Sequence, residues 1–427
     1  MSTAHLLTRL TQIRQHELKA ALVSFLFIFL LMASYMIMKP VRDALPSDWG
    51  DVSLARQWTY TFIVSTIAVA IYNLLASRVR LRVLVPGVFV FFSLSFLSIF
   101  AAYKSGVSVS MLGKVFYVWT SVFSLFHISV FWSFISHHHS KSESKRIFGF
   151  INTGASAGAI VGPLLVIWLA HSMNEENILL VTAFVLMLTL PLIAWLNRYF
   201  QKKEGSDTAT PTLSNNPFSG FQEFITHRGL IGIALFIFLF TGISAFLYFT
   251  QKNLLVEFSR GDRSELLGGV ELATNILTIL IGVFATNRIA RHFGMATTLS
   301  VVPFVVGGLL LLLSMNPAVL LVLVLQVVRR AGNYAITRPG REILFTAVDR
   351  EARFKTKPII DVAVYRGGDV FWIWVLALLG DGWLNLGVPS ILCIAAAVAG
   401  LWGAVGVYLG KRHDHMESLT EEDTHTV

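Results

Sequence analysis

Cysteine is nearly absent: Cys393 stands alone in 427 residues, so neither a disulfide framework nor a cysteine metal site can be built. Charge is scarce as well. Asp, Glu, Lys and Arg make up 14% of the chain while 55% is hydrophobic, which leaves too little polar surface to cover a water-soluble globule. There is no GxxxxGK[ST] phosphate loop and no HExxH, so neither phosphate-loop ATP hydrolysis nor zinc-peptidase chemistry is indicated. The chain reads as no enzyme and calls for no cofactor or metal. His137, His138 and His139 do not alter this, because three consecutive residues on a helix end point in different directions and cannot converge on one ion.

Long apolar runs are what the sequence has in abundance. The first, Ala20 to Met38, is longer than a signal-peptide core and has no small-residue cleavage site after it, so it reads as a retained span. Runs fall at about 20–42, 58–77, 82–103, 109–136, 147–171 and 177–197, and again at about 229–250, 267–287, 295–314, 317–337, 358–380 and 386–409. The expected organisation is an amphipathic lead-in over 1–19, a six-helix lobe over 20–197, a linker over 198–228 rich in Ser, Thr, Asn and Pro, a second six-helix lobe over 229–410 and a charged tail over 411–427. The fold class is an all-α polytopic membrane protein of about twelve transmembrane helices in two lobes.

The net charge of +9 would suggest nucleic acid in a soluble protein, but in a polytopic chain its distribution along the loops carries the information. With both termini placed in the cytoplasm, 23 of the 34 Lys and Arg fall on the cytoplasmic side. That excess is the positive-inside pattern. Nucleic acid is therefore not expected as a partner. The expected partners are the lipid bilayer and a small anionic solute, with a monomeric chain.

Several ionisable residues fall inside the runs, where a charge persists only if it faces a partner or a water-filled path. Arg329, Arg330, Asn333 and Tyr334 lie in the tenth run. Arg330, Tyr334, Arg338 and Arg341 follow steps of four, four and three, which on a regular helix stacks them along one face. Guanidinium binds phosphate or carboxylate oxygens through paired donors, and tyrosine can stack on a base. The eleventh run answers with Asp361, Arg366 and Asp369, and the first carries Tyr35, Lys39, Arg42 and Asp43 towards its outer end. Lys39, Arg42, Arg329, Arg330 and Arg366 outnumber Asp43, Asp369 and Glu271, so the solute path should be net positive. Tyr35, Lys39, Arg42, Asp43, Arg329, Arg330, Asn333, Tyr334 and Arg366 are the candidate solute-binding residues. Glu271, Asp361, Asp369 and His127 are candidates for gating or proton coupling, although a lone membrane histidine is more often a packing residue. Gly154, Gly158, Gly162 and Pro163 form a small-residue face suited to close helix packing. Tyr35 and Lys39 also share the spacing of Tyr248 and Lys252, as parallel repeats would.

Twelve runs, a central linker and the glycine-proline helix resemble the major facilitator superfamily. The segments YMIMKPVRDAL (Tyr35 to Leu45), VWTSVFSLFHISVFWSF (Val118 to Phe134), KRIFGFINTGASAGAIVGP (Lys145 to Pro163) and AVDREARFKTKPIIDVAVYRGGDV (Ala347 to Val370) resemble the ATP/ADP translocase family, and within it the shorter bacterial branch. The resemblance implies a bacterial inner-membrane antiporter for nucleotide-like anions. Relatives tend to carry an aspartate after FWSF; this chain has Ser136.

Three functional classes therefore stand open: an exchanger of a phosphorylated or nucleotide-like anion, a proton-coupled carrier of another organic anion or drug-like solute, and a transport-inactive scaffold or sensor. The orientation has its own test. In a chain with Cys393 replaced, a cysteine placed at Ser206 or Ser418 should resist a membrane-impermeant maleimide added to intact cells; ready labelling would reverse the topology.

Overall fold

The computed structural model describes residues 14–139, 141–170, 175–204, 228–284, 286–344, 360 and 364–425, and among them the regular structure is helical throughout. The first six spans are α1 (Gln15–Ala44), α2 (Asp51–Arg78), α3 (Leu81–Lys104), α4 (Val109–His137), α5 (Lys141–Leu169) and α6, in two pieces (Glu175–Met187 and Thr189–Glu204). The second six are α7 (Arg228–Leu254), α8 (Arg260–Phe284), α9 (Thr286–Met315), α10 (Val319–Gly332, continued by Arg338–Leu344), α11 (Tyr365–Ala377) and α12 (Val388–His425). Eleven of these helices are long and apolar enough to cross a bilayer by length and composition; the described part of α11 is the shorter exception. The twelve apolar runs thus correspond one by one to helices. Several reach beyond the expected limits, among them α2, which begins at Asp51, α9, which begins at Thr286, and α12, which continues to His425.

The chain divides into two compact units. The first takes the described residues within Met1–Leu45, Ile63–Leu213 and Phe258–Leu272, and the second those within Pro46–Phe62, Ser214–Glu257 and Ala273–Val427. The opening of α2 therefore counts with the second unit, and the opening of α8 with the first.

In the first unit α1 lies against α4, α5 and α6. Its contact with α5 is closest, and the glycine face explains why. A Cβ on Gly154 would sit 2.6 Å from the Phe25 carbonyl oxygen, and one on Gly162 would sit 2.6 Å from Met36 Cβ and 2.9 Å from the Ala33 oxygen. Only the missing side chains let the two backbones come so near. Phe27, Phe89, Phe96, Phe116, Phe123, Phe131 and Phe134 fill the rest of this interior.

In the second unit α7 packs on α10, α11 and α12, and α9 on α12. Gly242 meets the Trp372 ring, whose Nε1 donates to the Phe238 carbonyl at 2.9 Å. First and fifth helices of each set of six thus make glycine-mediated contacts. Within α10, the five residues Asn333–Thr337 form a π turn. Such a turn holds about one residue more than an α turn and rotates whatever follows.

Substituting Gly154 by Leu should lower stability by at least about 1–3 kcal/mol, the range of an overpacked interior, because the opposing atom is backbone and cannot rotate away. Thermal unfolding of the purified protein in detergent checks this, and Gly149→Leu, whose Cβ meets nothing within 4 Å, is the control expected to melt near the parent temperature.

Candidate functional site

Buried ionisable side chains gather around Lys39 and Arg42 in the first unit, and around Arg329 and the Lys252–Asp51 pair in the second. In the first unit Lys39 of α1 and Glu271 of α8 form an ion pair, with Glu271 only 3% exposed. One α-helical turn along α1, Arg42 gives Nε and Nη2 to Asp43 Oδ1 at 2.9 and 2.7 Å and Nη1 to the Ser121 hydroxyl at 3.2 Å. Its guanidinium also stands 5.6 Å from the centre of the Tyr117 ring. Tyr35, on the same side of α1, packs against His127, ring centres 4.4 Å apart, and against Phe123 at 6.4 Å. His127 is fully enclosed among these aromatics. That surrounding suits a packing residue. The first unit thus brings together Tyr35, Lys39, Arg42, Asp43, Glu271 and His127, and its Gly154, Gly158, Gly162 and Pro163 lie on α5.

The second unit centres on Arg329. This side chain is 5% exposed, and among the described residues its hydrogen-bond partners are all neutral: Nη1 donates to the Ser244 hydroxyl at 3.1 Å and Nη2 to Gln326 Oε1 at 2.8 Å. The Phe240 ring lies 5.7 Å from its guanidinium carbon. Gln326 in turn donates to Gln251 Oε1 at 2.9 Å. Asp369 attracts Arg329 through space, while its contact with Arg366 is a loose 3.9 Å within α11.

The π turn corrects the reading of α10. A face running through Arg330, Tyr334, Arg338 and Arg341 requires an unbroken α register, and the turn at Asn333–Thr337 breaks it. Arg330 is half-buried, Tyr334 and Arg338 are exposed, and Arg341 is buried beyond the break. It is Arg329 that points inward, and Asn333 is the first residue of the π turn itself. Asp361 falls outside the described residues.

Four site residues escaped the sequence reading: Asp51, Ser244, Gln251 and Gln326. Asp51, at the first turn of α2, is buried against Lys252 of α7 in an ion pair with exposures of 4% and 6%. Phe249 lies over the ammonium at 5.4 Å. Gly380 leaves room for this carboxylate, since a Cβ there would come within 2.5 Å of Asp51 Oδ2. The repeat spacing of Tyr35–Lys39 and Tyr248–Lys252 was the available signal. Each lysine is paired with a carboxylate at or near the membrane portion of another helix, α8 for Lys39 and α2 for Lys252.

The model of the Major Facilitator Superfamily matches residues 19–340. The ADP,ATP carrier protein 1 of Chlamydia pneumoniae is 21% identical over an alignment that covers 96% of this chain and 94% of the carrier. Among solved structures, the nucleoside transporter NupG superposes with a TM-score of 0.64 at 13% identity, covering 92% of this chain and 98% of that one. A POT family transporter in complex with 5-aminolevulinic acid gives 0.66 at 11% identity, covering 92% and 96%. These structures share the fold.

A buried ion pair is costly to break from one side. Lys252→Met alone leaves the Asp51 carboxylate enclosed without its ammonium and should destabilise by about 3–5 kcal/mol. The double variant Asp51→Asn with Lys252→Met should recover a large part of that loss, as read by thermal melting in detergent; additive losses would mean the two groups act independently.

Proposed function

The chain belongs to the Major Facilitator Superfamily and is a multi-pass membrane transporter, and we propose that it works by alternating access, exchanging a phosphorylated or nucleotide-like organic anion. The observation that carries this reading is Arg329. The hydrogen bonds of this buried guanidinium go to a hydroxyl and an amide beside an aromatic ring, and among the described residues no carboxylate bonds it, Asp369 attracting it only through space. Phosphate oxygens are the partners its planar donor fork fits best. Phe240 and Tyr365, whose rings are 6.0 Å apart, add aromatic surface in the same unit on which a flat base could stack. The relative matched along nearly the whole chain is named as a carrier of ADP and ATP, which supports the same solute class.

In this reading the Lys39–Glu271 pair holds the empty first unit, and an anionic solute displaces the carboxylate when it binds. The solute's charge then replaces an internal one, which couples binding to conformational change. The protein is read as a monomer in a bacterial inner membrane, with both termini and the 198–228 linker cytoplasmic.

A second reading has its own observation. Asp369 has no hydrogen-bond donor among the described residues nearer than the Arg366 contact at 3.9 Å, an arrangement open to a carboxyl that takes up and releases a proton in a coupled carrier. Asp369→Asn would then abolish uptake driven by a pH gradient while leaving counterflow intact.

Uptake into proteoliposomes preloaded with nucleotides, sugar phosphates, organic acids and neutral nucleosides, with and without a pH gradient, tests both. The exchange reading expects saturable counterflow of phosphorylated solutes that does not need the gradient. Arg329→Lys, which keeps the charge but loses the paired donors, should weaken that solute by on the order of 1–3 kcal/mol. Carriage of neutral or cationic solutes only, unaffected by Arg329→Lys, would overturn the proposal.

A further inference from the structure

Arginine offers five N–H donors and no acceptor, so whatever anchors it must present oxygen. Gln326 does so with its carbonyl, which commits its amide nitrogen to the other side, where Gln251 accepts with its own carbonyl. The polarity of the relay Arg329 to Gln326 to Gln251 is therefore set by the arginine. Residues 326 and 329 lie one turn apart on α10, and Gln251 reaches them from α7. Both glutamines are buried. An enclosed amide is unfavourable unless it is hydrogen-bonded, so two adjacent ones in an apolar bundle call for a reason beyond packing.

A carboxylate at position 326 could reach the same guanidinium and would grip it harder. It would also cancel the charge. Arg42 in the first unit has that arrangement, with Asp43 taking two of its N–H groups. Around Arg329 the amides supply direction without negative charge of their own, and among the described residues the buried Nε has no hydrogen-bond partner.

We propose that Gln326 and Gln251 are positioning residues that fix the Arg329 guanidinium in place without neutralising it, and so set the preference for anionic over neutral solutes. This rests on the anion reading above. Ser244 completes the anchor from α7. The solute class such a group would take is an anion that presents clustered oxygens, phosphate above all, because a planar guanidinium meets several oxygens on one centre through paired donors.

The discriminating variant is Gln326→Glu. It keeps the length and the acceptor for Arg329, and Gln251 need only turn its amide to donate, so the fold is preserved while the charge is cancelled. Homoexchange of radiolabelled ADP in proteoliposomes should show KM raised at least tenfold with Vmax within about twofold, and a melting temperature equal to or above that of the parent. Gln251→Glu, one step removed, should raise KM less. Protection of the purified protein by inorganic pyrophosphate against thermal unfolding should disappear in Gln326→Glu and in Arg329→Lys. If the glutamines only support the fold, Gln326→Glu will leave KM unchanged, which overturns the inference. If Arg329→Lys also leaves KM and pyrophosphate protection unchanged, or the parent responds to neither ADP nor pyrophosphate, the anion reading falls and takes the inference with it.

Discussion

A charge held within the hydrocarbon thickness of a bilayer needs a partner, because burial without one costs several kcal/mol. Each answer to that constraint in this protein has a different consequence. Lys39 with Glu271, and Lys252 with Asp51, meet it by direct ion pairing between helices. Arg42 meets it with the carboxylate next in sequence. Arg329 meets it with neutral hydrogen-bond partners and a ring, and with Asp369 acting only through space. The first two arrangements bond the charge directly to a carboxylate, whereas the last leaves it without one in contact among the described residues. The electrostatic character of the second unit follows from that difference, since a guanidinium anchored by amides still attracts an anion.

Close helix packing makes such arrangements possible. Ser244 reaches Arg329, and Gln251 reaches Gln326, only if α7 and α10 run near each other, and α7 is drawn against α11 where Gly242 and Gly368 let Trp372 and Thr241 approach. In the first unit the same is achieved by Gly154, Gly158 and Gly162, which seat α1 against α5 and so fix the side of α1 that carries Tyr35, Lys39 and Arg42. Without a hydrophobic drive between helices in lipid, it is this fit that holds them.

The spans were readable because hydropathy needs no tertiary information: a helix long enough to cross the bilayer must announce itself in composition. The glycine helix was readable for the same reason, as spacing on one helix. Contacts between helices were not. Asp51 looked like a loop residue ahead of a span expected to begin near 58, yet α2 starts at Asp51 and buries it against Lys252. Gln251 and Gln326 looked like ordinary polar interruptions, since an amide carries no charge to mark it as costly. The single face through Arg330, Tyr334, Arg338 and Arg341 was misjudged for a different reason. Its spacing assumed an α register, and the π turn at Asn333–Thr337 depends on packing that the local sequence does not encode. Lys39 and Arg42 stood out in the sequence as charges at the end of an apolar run, and in the first unit Lys39 bonds Glu271 while Arg42 bonds Asp43 and Ser121.

Calorimetric titration of the purified protein with adenosine, its monophosphate and its diphosphate tests most directly whether a buried guanidinium reads the negative charge of the solute. The base and sugar are constant along the series, so only the phosphate contribution changes. Affinity should rise with each phosphate and the diphosphate should bind at least tenfold more tightly than adenosine, with that advantage lost in Arg329→Lys. Equal affinity for adenosine and its diphosphate would contradict the account.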